Sequence, residues 1–223
     1  MKKPKIVAID LETIPNMDLV SLLPEPKPKG NLKDPKKIDA DISEKKEKQI
    51  DDMGLNPMFN RVCVAGLYSN IASNYSIILE IETDDAESIL LMELYDVLQS
   101  YDYIVTFNGR NFDMKVLNLH NMRLGIKPGI TLDMGRYNTA SSNHIDLRQV
   151  VFGSEMFAKG DLDTAAKVFL SGDSKSEGID GKLVRDWWLM GDKQSIAEYC
   201  IQDCKLTYDL CMRAIECGLI NWI

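Results

Sequence analysis

Apolar positions along the chain follow two periods, and the switches between them mark the elements. The stretch Lys5-Ile6-Val7-Ala8-Ile9 is short, apolar and rich in Ile and Val, which predicts a buried strand near the N-terminus. Arg61 to Tyr68 predicts a second strand and Asn74 to Glu80 a third, joined as a hairpin by the turn residues from Ser69-Asn70 to Ser73-Asn74. From Asp84, a candidate cap, to about Ser100 the spacing becomes helical, with Ile89, Leu90, Met92, Leu94, Val97 and Leu98 as the buried side. Tyr103 to Phe107 predicts a short buried strand, and a helix follows with Val116, Leu117 and Leu119 apolar. Residues 130–147 hold one or two short extended pieces, with Asp133 and Asp146 as loose acids. Asp161 or Asp163 caps a helix from Thr164 to Leu170, Ser171 to Gly181 is a polar loop, and helices at about 182–190 and 193–217 complete the pattern. Strands first, then helices alternating with strands, predict a mixed α/β sheet in a single domain over residues 1–223.

One stretch departs from this pattern. Pro24-Glu25-Pro26-Lys27-Pro28-Lys29-Gly30 is expected to be extended and mobile, the start of a Lys-rich insertion at about 24–56. Asp34 and Pro35 predict the cap and first residue of a charged helix. From Lys27 to Lys48, eight Lys face five acids, a basic island in a chain whose formal net charge is −8. Two readings fit it: a solvated helix of paired charges, and a contact for a phosphate backbone. The acidic whole speaks against a passive nucleic-acid coat protein, yet not against an enzyme that grips a few phosphates through bound cations.

The apolar stretch after the basic N-terminus ends at Asp10, too soon for a signal peptide, and no apolar run is long enough to span a membrane. The five cysteines form no Cys-x-x-Cys pair, and four crowd the C-terminal helix; reduced, buried thiols in a cytoplasmic compartment are the expectation.

The candidate chemistry lies where apolar runs end. Asp10 and Glu12 stand two apart on a strand, so both carboxylates project to one face. Such a pair is either a solvated strand end or half of a site for a hard divalent cation, which takes oxygen ligands and relieves the mutual repulsion. Asp113 starts a helix just after a later strand, where open α/β sheets place ligand sites. Tyr199 and Asp203 stand four apart on the last helix and address one point.

Taken together, Asp10-Leu11-Glu12-Thr13, Asn108-Gly109-x-x-Phe112-Asp113 and Tyr199-x-x-x-Asp203 resemble, in order, the three motifs of the DEDD exonuclease superfamily, tyrosine subtype, which has the DnaQ-like, ribonuclease-H-like fold. No histidine stands four or five residues before Asp203, which excludes the histidine subtype. The segments Leu162-Asp163-x-x-Ala166-Lys167, Gly178-Ile179-Asp180-Gly181 and Asn56-Pro57-x-x-x-Arg61-Val62 are similar to a stand-alone branch related to the proofreading domain of family B DNA polymerases. Cys204 departs from the Val common at that position and is a tolerable small apolar substitute. With no room for a polymerase palm or fingers in 223 residues, a free-standing nuclease or a subunit is expected.

The resemblance implies a mixed five-stranded sheet flanked by helices and a 3′→5′ exonuclease that releases nucleoside 5′-monophosphates from single-stranded DNA ends. It implies two Mg²⁺ ions, or Mn²⁺ in their place, held by Asp10, Glu12, Asp113 and Asp203, a pair that activates water and neutralises the phosphate. Tyr199 would orient that water, since a phenol of pKa ~10 is a poor base. Thr13 would touch the terminal 3′ hydroxyl, Ile14 would wedge against the terminal base, and Asn108 and Phe112 would line the groove. Replication or recombination proteins are the expected partners, and a membrane is not. An exoribonuclease of the same fold, a silent nucleic-acid-binding module and a structural ion-binding domain are the competing readings.

Overall fold

The N-terminal apolar run forms β1 (Ile6–Pro15), and its period of two feeds two cores on opposite sides of one sheet. The computed structural model describes residues 3–72, 74–131, 143–153, 160–170 and 183–221. β1 pairs antiparallel with β2 (Asn60–Ser69), which pairs antiparallel with the edge strand β3 (Tyr75–Ile78). On its other side β1 pairs parallel with β4 (Tyr103–Thr106), and β4 parallel with β5 (His144–Asp146), giving the order β3-β2-β1-β4-β5. The mixed five-stranded sheet expected from the sequence is therefore present.

Val7, Ile9 and Leu11 face the helices α2 (Asp84–Leu98) and α3 (Asp113–Leu124), packing with Leu90, Leu91, Leu94, Met114 and Leu117. Ile6 and Ala8 face the other way, toward α7 (Lys193–Glu216) and α5 (Leu162–Phe169). The buried side of α2 differs from the expected one. Ile89 and Met92 are 62% and 48% exposed, and Leu91 and Tyr95 are buried in their place. Glu87, Leu90/Leu91, Leu94/Tyr95 and Leu98 form the 3.6-period stripe, which leaves Ile89 and Met92 on the solvent side. Thr83, not Asp84, caps this helix by accepting from Ala86 N. Ile201 on α7 and Leu119 on α3 are likewise only half-buried.

The charged helix α1 (Pro35–Met53) starts at the expected cap, Asp34 accepting from Lys36 N at 3.0 Å, and continues past the Lys-rich stretch to Met53. The Pro-rich segment lies along it. Lys45 Nζ donates to Lys27 O at 2.7 Å, Gln49 Nε2 to Pro24 O at 3.2 Å, and Lys29 N to Asp41 Oδ2 at 3.0 Å. Lys46 pairs with Glu25 and Lys45 with Asp41, so part of the basic island is neutralised within the insertion itself.

Asp161 is the cap of α5. Two shorter helices complete the described part, α4 (Leu147–Phe152) and α6 (Leu183–Met190). Trp187 and Trp188 of α6 are both half-buried: Trp187 packs on Tyr199, and Trp188 Nε1 donates to Glu82. The polar loop at 171–181, Asp133 and Gly178 to Gly181 lie outside the described residues. All five cysteines are free thiols, four of them buried. Among the described residues no helix is long and apolar enough to cross a membrane.

Candidate active site

The site is built at the C-terminal end of β1. The period that sends Ile6 and Ala8 toward α7 carries Asp10 and Glu12 to the same face. Between Glu12 and Thr13 the β1–β2 register shifts: Glu12 is opposite Val64 and Thr13 opposite Val62, which leaves Cys63 as the extra residue of a bulge. Cys63 and Val64 both turn to the α7 side in consequence, and Cys63 Sγ donates to Glu12 O at 3.3 Å.

Gly66 is opposite Asp10 on β2 and lets α7 come close. A Cβ there would meet Cys200 Sγ at 2.7 Å, Cys204 Sγ at 3.0 Å and the Cys200 carbonyl carbon at 3.2 Å. With no side chain in the way, Cys200 Sγ reaches Asp10, donating to its O at 3.3 Å and its Oδ2 at 3.6 Å. Burial, a hydrogen bond with Cys204 and the charges of Asp10 and Glu12 push the Cys200 thiol well above its ordinary value, so it stays protonated and can donate. Burial, with the charges of Asp10, Asp203 and Asp113, pushes the Cys204 thiol up to about 11, against the pull of its hydrogen bond with Cys200. Asp203 and Tyr199 are buried on α7 one turn apart, the Tyr199 ring 6.2 Å from that of Trp187.

Asp113 arrives from the third direction. β4 pairs with β1 only along Ile6–Ala8, and beyond that point the edge of β1 is taken by a side chain: Leu11 N donates to Asp113 Oδ1 at 3.0 Å. Burial and the nearby Asp10 charge raise the Asp113 carboxyl well above the carboxylate range, against the pull of that hydrogen bond. The loop leading to it passes through Asn108 at φ 69°, a left-handed conformation that Asn tolerates better than most residues. Asn108 N and Arg110 N both donate to Asp146, at 2.9 and 3.0 Å.

The donor set fits a hard divalent cation. Ligand atoms of Asp10, Glu12 and Cys200 lie within 4.8 Å of one another, and the ionised form of Asp113 is disfavoured by its surroundings unless a cation offsets the charge. Carboxylates dominate the set, which favours Mg²⁺ or Mn²⁺ over thiophilic metals, and the Cys200 thiol is already engaged with Asp10.

The residues expected to touch substrate fare differently. Thr13 is half-buried and its Oγ1 donates to Gly54 O at 2.6 Å, which leaves the oxygen lone pairs available as acceptors. Asn108 is half-buried, its Oδ1 accepting from Asn111 Nδ2. Phe112 packs against the α2–α3 core. Ile14 is corrected: at 1% exposure, packed among Val184, Ile196 and Tyr199, it is core and presents nothing to a base.

A family model described as a predicted 3′-5′ exonuclease related to the exonuclease domain of PolB matches residues 55–217. The chain belongs to that family. An uncharacterised protein of Methanocaldococcus jannaschii is 29% identical over 184 residues, which cover 77% of this chain and 96% of that protein. DNA polymerase 1 of Sulfolobus acidocaldarius is 25% identical over 143 residues, and a DNA polymerase of M. jannaschii 30% identical over 141. Those matches take in 59% and 58% of this chain but only 16% and 8% of the polymerases. The family B DNA polymerase of Pyrobaculum calidifontis has the same fold over 98% of this chain and 25% of its own, with a TM-score of 0.63 at 15% identity.

Within this PolB-related exonuclease family, the matched span contains Asp113, Tyr199 and Asp203, while Asp10 and Glu12 precede it. The span also contains three residues whose part in the site was not legible in the sequence. Gly66 reads as an ordinary strand residue, Cys200 as a small hydrophobe, and Asp146 as a loose acid, whereas Asp146 is fully buried and caps α4. An Asp directly after His144-Ile145 and before a helical Leu-Arg-Gln-Val is the one local signal for it.

Proposed function

We propose that this chain is a metal-dependent 3′→5′ exonuclease of the tyrosine DEDD subtype that removes nucleoside 5′-monophosphates from single-stranded DNA ends. The observation that carries the reading is geometric: Asp10 and Glu12 gather with Cys200 of α7, the helix that carries Asp203, while Asp113 holds Leu11 N between them, in a chain of the PolB-related exonuclease family. Asp10, Glu12, Asp113 and Asp203 would hold two Mg²⁺ ions, with Mn²⁺ able to replace them. When bound, such ions lower the pKa of water and neutralise charge on the phosphate.

The chain's own residues position and exclude. Tyr199, clamped against Trp187, donates a hydrogen bond that orients the attacking water. Thr13 Oγ1, its proton committed to Gly54, accepts from the terminal 3′ hydroxyl of the substrate. Cys200 and Leu11 N, as donors to Asp10 and Asp113, fix the orientation of carboxylates that would otherwise swing apart.

The test is digestion of a 5′-labelled single-stranded DNA oligonucleotide with Mg²⁺ or Mn²⁺, beside EDTA and Asp10→Ala controls. A ladder shortening from the 3′ end, absent in both controls, supports the reading; intact oligonucleotide with the wild-type protein refutes it. The same sequence as RNA, degraded faster than DNA, would replace the substrate named here with a ribonucleotide one.

A further inference from the structure

We propose that Asp146 is a positioning residue of this site, which sets the place of Asp113 by gripping the loop between β4 and α3. The inference rests on the exonuclease reading above. Asp146 has no exposed surface, and an ionised carboxylate is costly there unless donors surround it. Three backbone amides do: Asn108 N at 2.9 Å and Arg148 N at 3.1 Å on Oδ1, and Arg110 N at 3.0 Å on Oδ2. Two of these belong to the loop, and the third is the first turn of α4, which Asp146 caps.

The grip is bidentate and falls on residues two apart, so the loop can neither slide nor rotate without breaking a charge-assisted bond. Between the two gripped residues stands Gly109, whose added Cβ would lie 2.3 Å from Thr106 Oγ1. Gly109 O in turn accepts from Phe112 N at 3.2 Å and Met114 N at 2.8 Å, the residues on either side of Asp113. The chain of contacts therefore runs from Asp146 through the loop backbone to both neighbours of Asp113. β5 is held to the same place from behind, Thr106 Oγ1 bonding His144 Nε2 at 2.8 Å and Arg110 Nη2 donating to His144 O at 3.3 Å. A buried carboxylate used only to cap a six-residue helix would need the Arg148 bond alone.

Two variants separate capping from positioning. Asp146→Asn keeps the size but turns an amide toward one of the gripped N–H groups. Asp146→Ser can still cap α4 but has one short oxygen where two loop amides need partners. Asp161→Ala, which removes the cap of α5 and whose side chain bonds Thr164 and none of the gripped loop amides, serves as the control for stability alone. Mn²⁺ affinity read by electron paramagnetic resonance and single-strand digestion kinetics are measured on each full-length protein, beside its melting temperature.

Loss of a direct outer partner of a metal ligand weakens metal affinity or activity by about 10–100-fold, and Asp146, acting one step further out through the loop backbone, is expected at the lower end of that range. Asp146→Asn and Asp146→Ser are expected to raise the Mn²⁺ dissociation constant and lower kcat within that range, with KM for the oligonucleotide within about twofold. Asp161→Ala is expected to lower the melting temperature and leave Mn²⁺ affinity unchanged. If Asp146→Ser, or a folded Asp146→Asn, matches wild type in Mn²⁺ affinity and kcat, Asp146 is a cap and the inference fails by itself. If wild type neither binds Mn²⁺ nor shortens the oligonucleotide, the exonuclease reading fails and this inference with it.

Discussion

Gly66→Ala tests whether the close approach of α7 builds the site. The added Cβ meets Cys200 Sγ at 2.7 Å, Cys204 Sγ at 3.0 Å and the Cys200 carbonyl carbon at 3.2 Å. Ordinary contacts lie at about 3.5–4.0 Å, so the thiols must turn aside and the α7 backbone must retreat by a few tenths of an ångström. Turning one thiol aside does not clear the backbone carbon. Overpacking of this kind costs about 1–3 kcal/mol, or about 2–4 °C of melting temperature per kcal/mol in a chain of this size. Gly66 is not among the residues at positive φ, so Ala brings no backbone strain to confuse the reading. Because α7 also carries Tyr199 and Asp203, and a misplacement of ~1 Å can cost about 10²-fold, this smaller shift is expected to lower nuclease turnover by roughly 10-fold. Urea denaturation and single-strand digestion read the two effects. A cycle with Cys200→Ala sharpens them: truncating Cys200 removes the 2.7 Å contact in the Gly66→Ala background, leaving those to Cys204 Sγ and the Cys200 carbonyl carbon, and only opens a cavity in wild type, a coupling of about 0.5–3 kcal/mol. Wild-type melting and turnover for Gly66→Ala, or zero coupling with Cys200→Ala, would refute the argument that this glycine sets the distance between helix and carboxylates.

Three further outcomes are expected. Asp113 binds its proton more tightly in the native state than in the unfolded chain, because burial and Asp10 disfavour its charge. Metal-free stability from this group therefore declines as pH rises from about 4, the unfolded aspartate value, through the raised native one, and Asp113→Asn flattens that decline in thermal melts with EDTA. Asn keeps an oxygen for Leu11 N, so the variant melts above wild type at neutral pH without metal while losing nuclease activity. Glu87→Gln removes the buried anion that faces Arg61, His120 and Arg123 and accepts from Val62 N at 2.9 Å. Breaking such a pair costs about 3–5 kcal/mol by denaturant titration, toward the lower figure because Arg61 keeps Asp18 and Asp84. Asn108→Val forces a β-branched residue to φ 69° and is expected to cost about 1–3 kcal/mol, whereas Asn108→Gly, losing only the bond from Asn111, stays within about 1 kcal/mol in thermal melts.

Local backbone geometry made much of this protein legible from residues alone. Ile6 to Ile9 alternate across a strand because a strand has a period of two, and Asp34-Pro35 opens a helix because one oxygen and one fixed φ satisfy its first turn. The order of Asp10, Glu12, Asp113 and Asp203 along the chain was visible in the same way, the first three as acids at the junctions of elements and Asp203 by its spacing of four from Tyr199 within a helix. What local rules could not set was which side of an element finds a partner. Ile89 and Ile14 are equally apolar; one lies off the stripe that meets the sheet and is exposed, while the other falls beneath α6 and α7 and is sealed. The contacts that shape the site join residues far apart in sequence: Gly66 with Cys200, Asp146 with Asn108, and Leu11 with Asp113. Each depends on how closely two elements pack, a distance fixed by the sum of side-chain volumes between them and recorded at no single position of the chain.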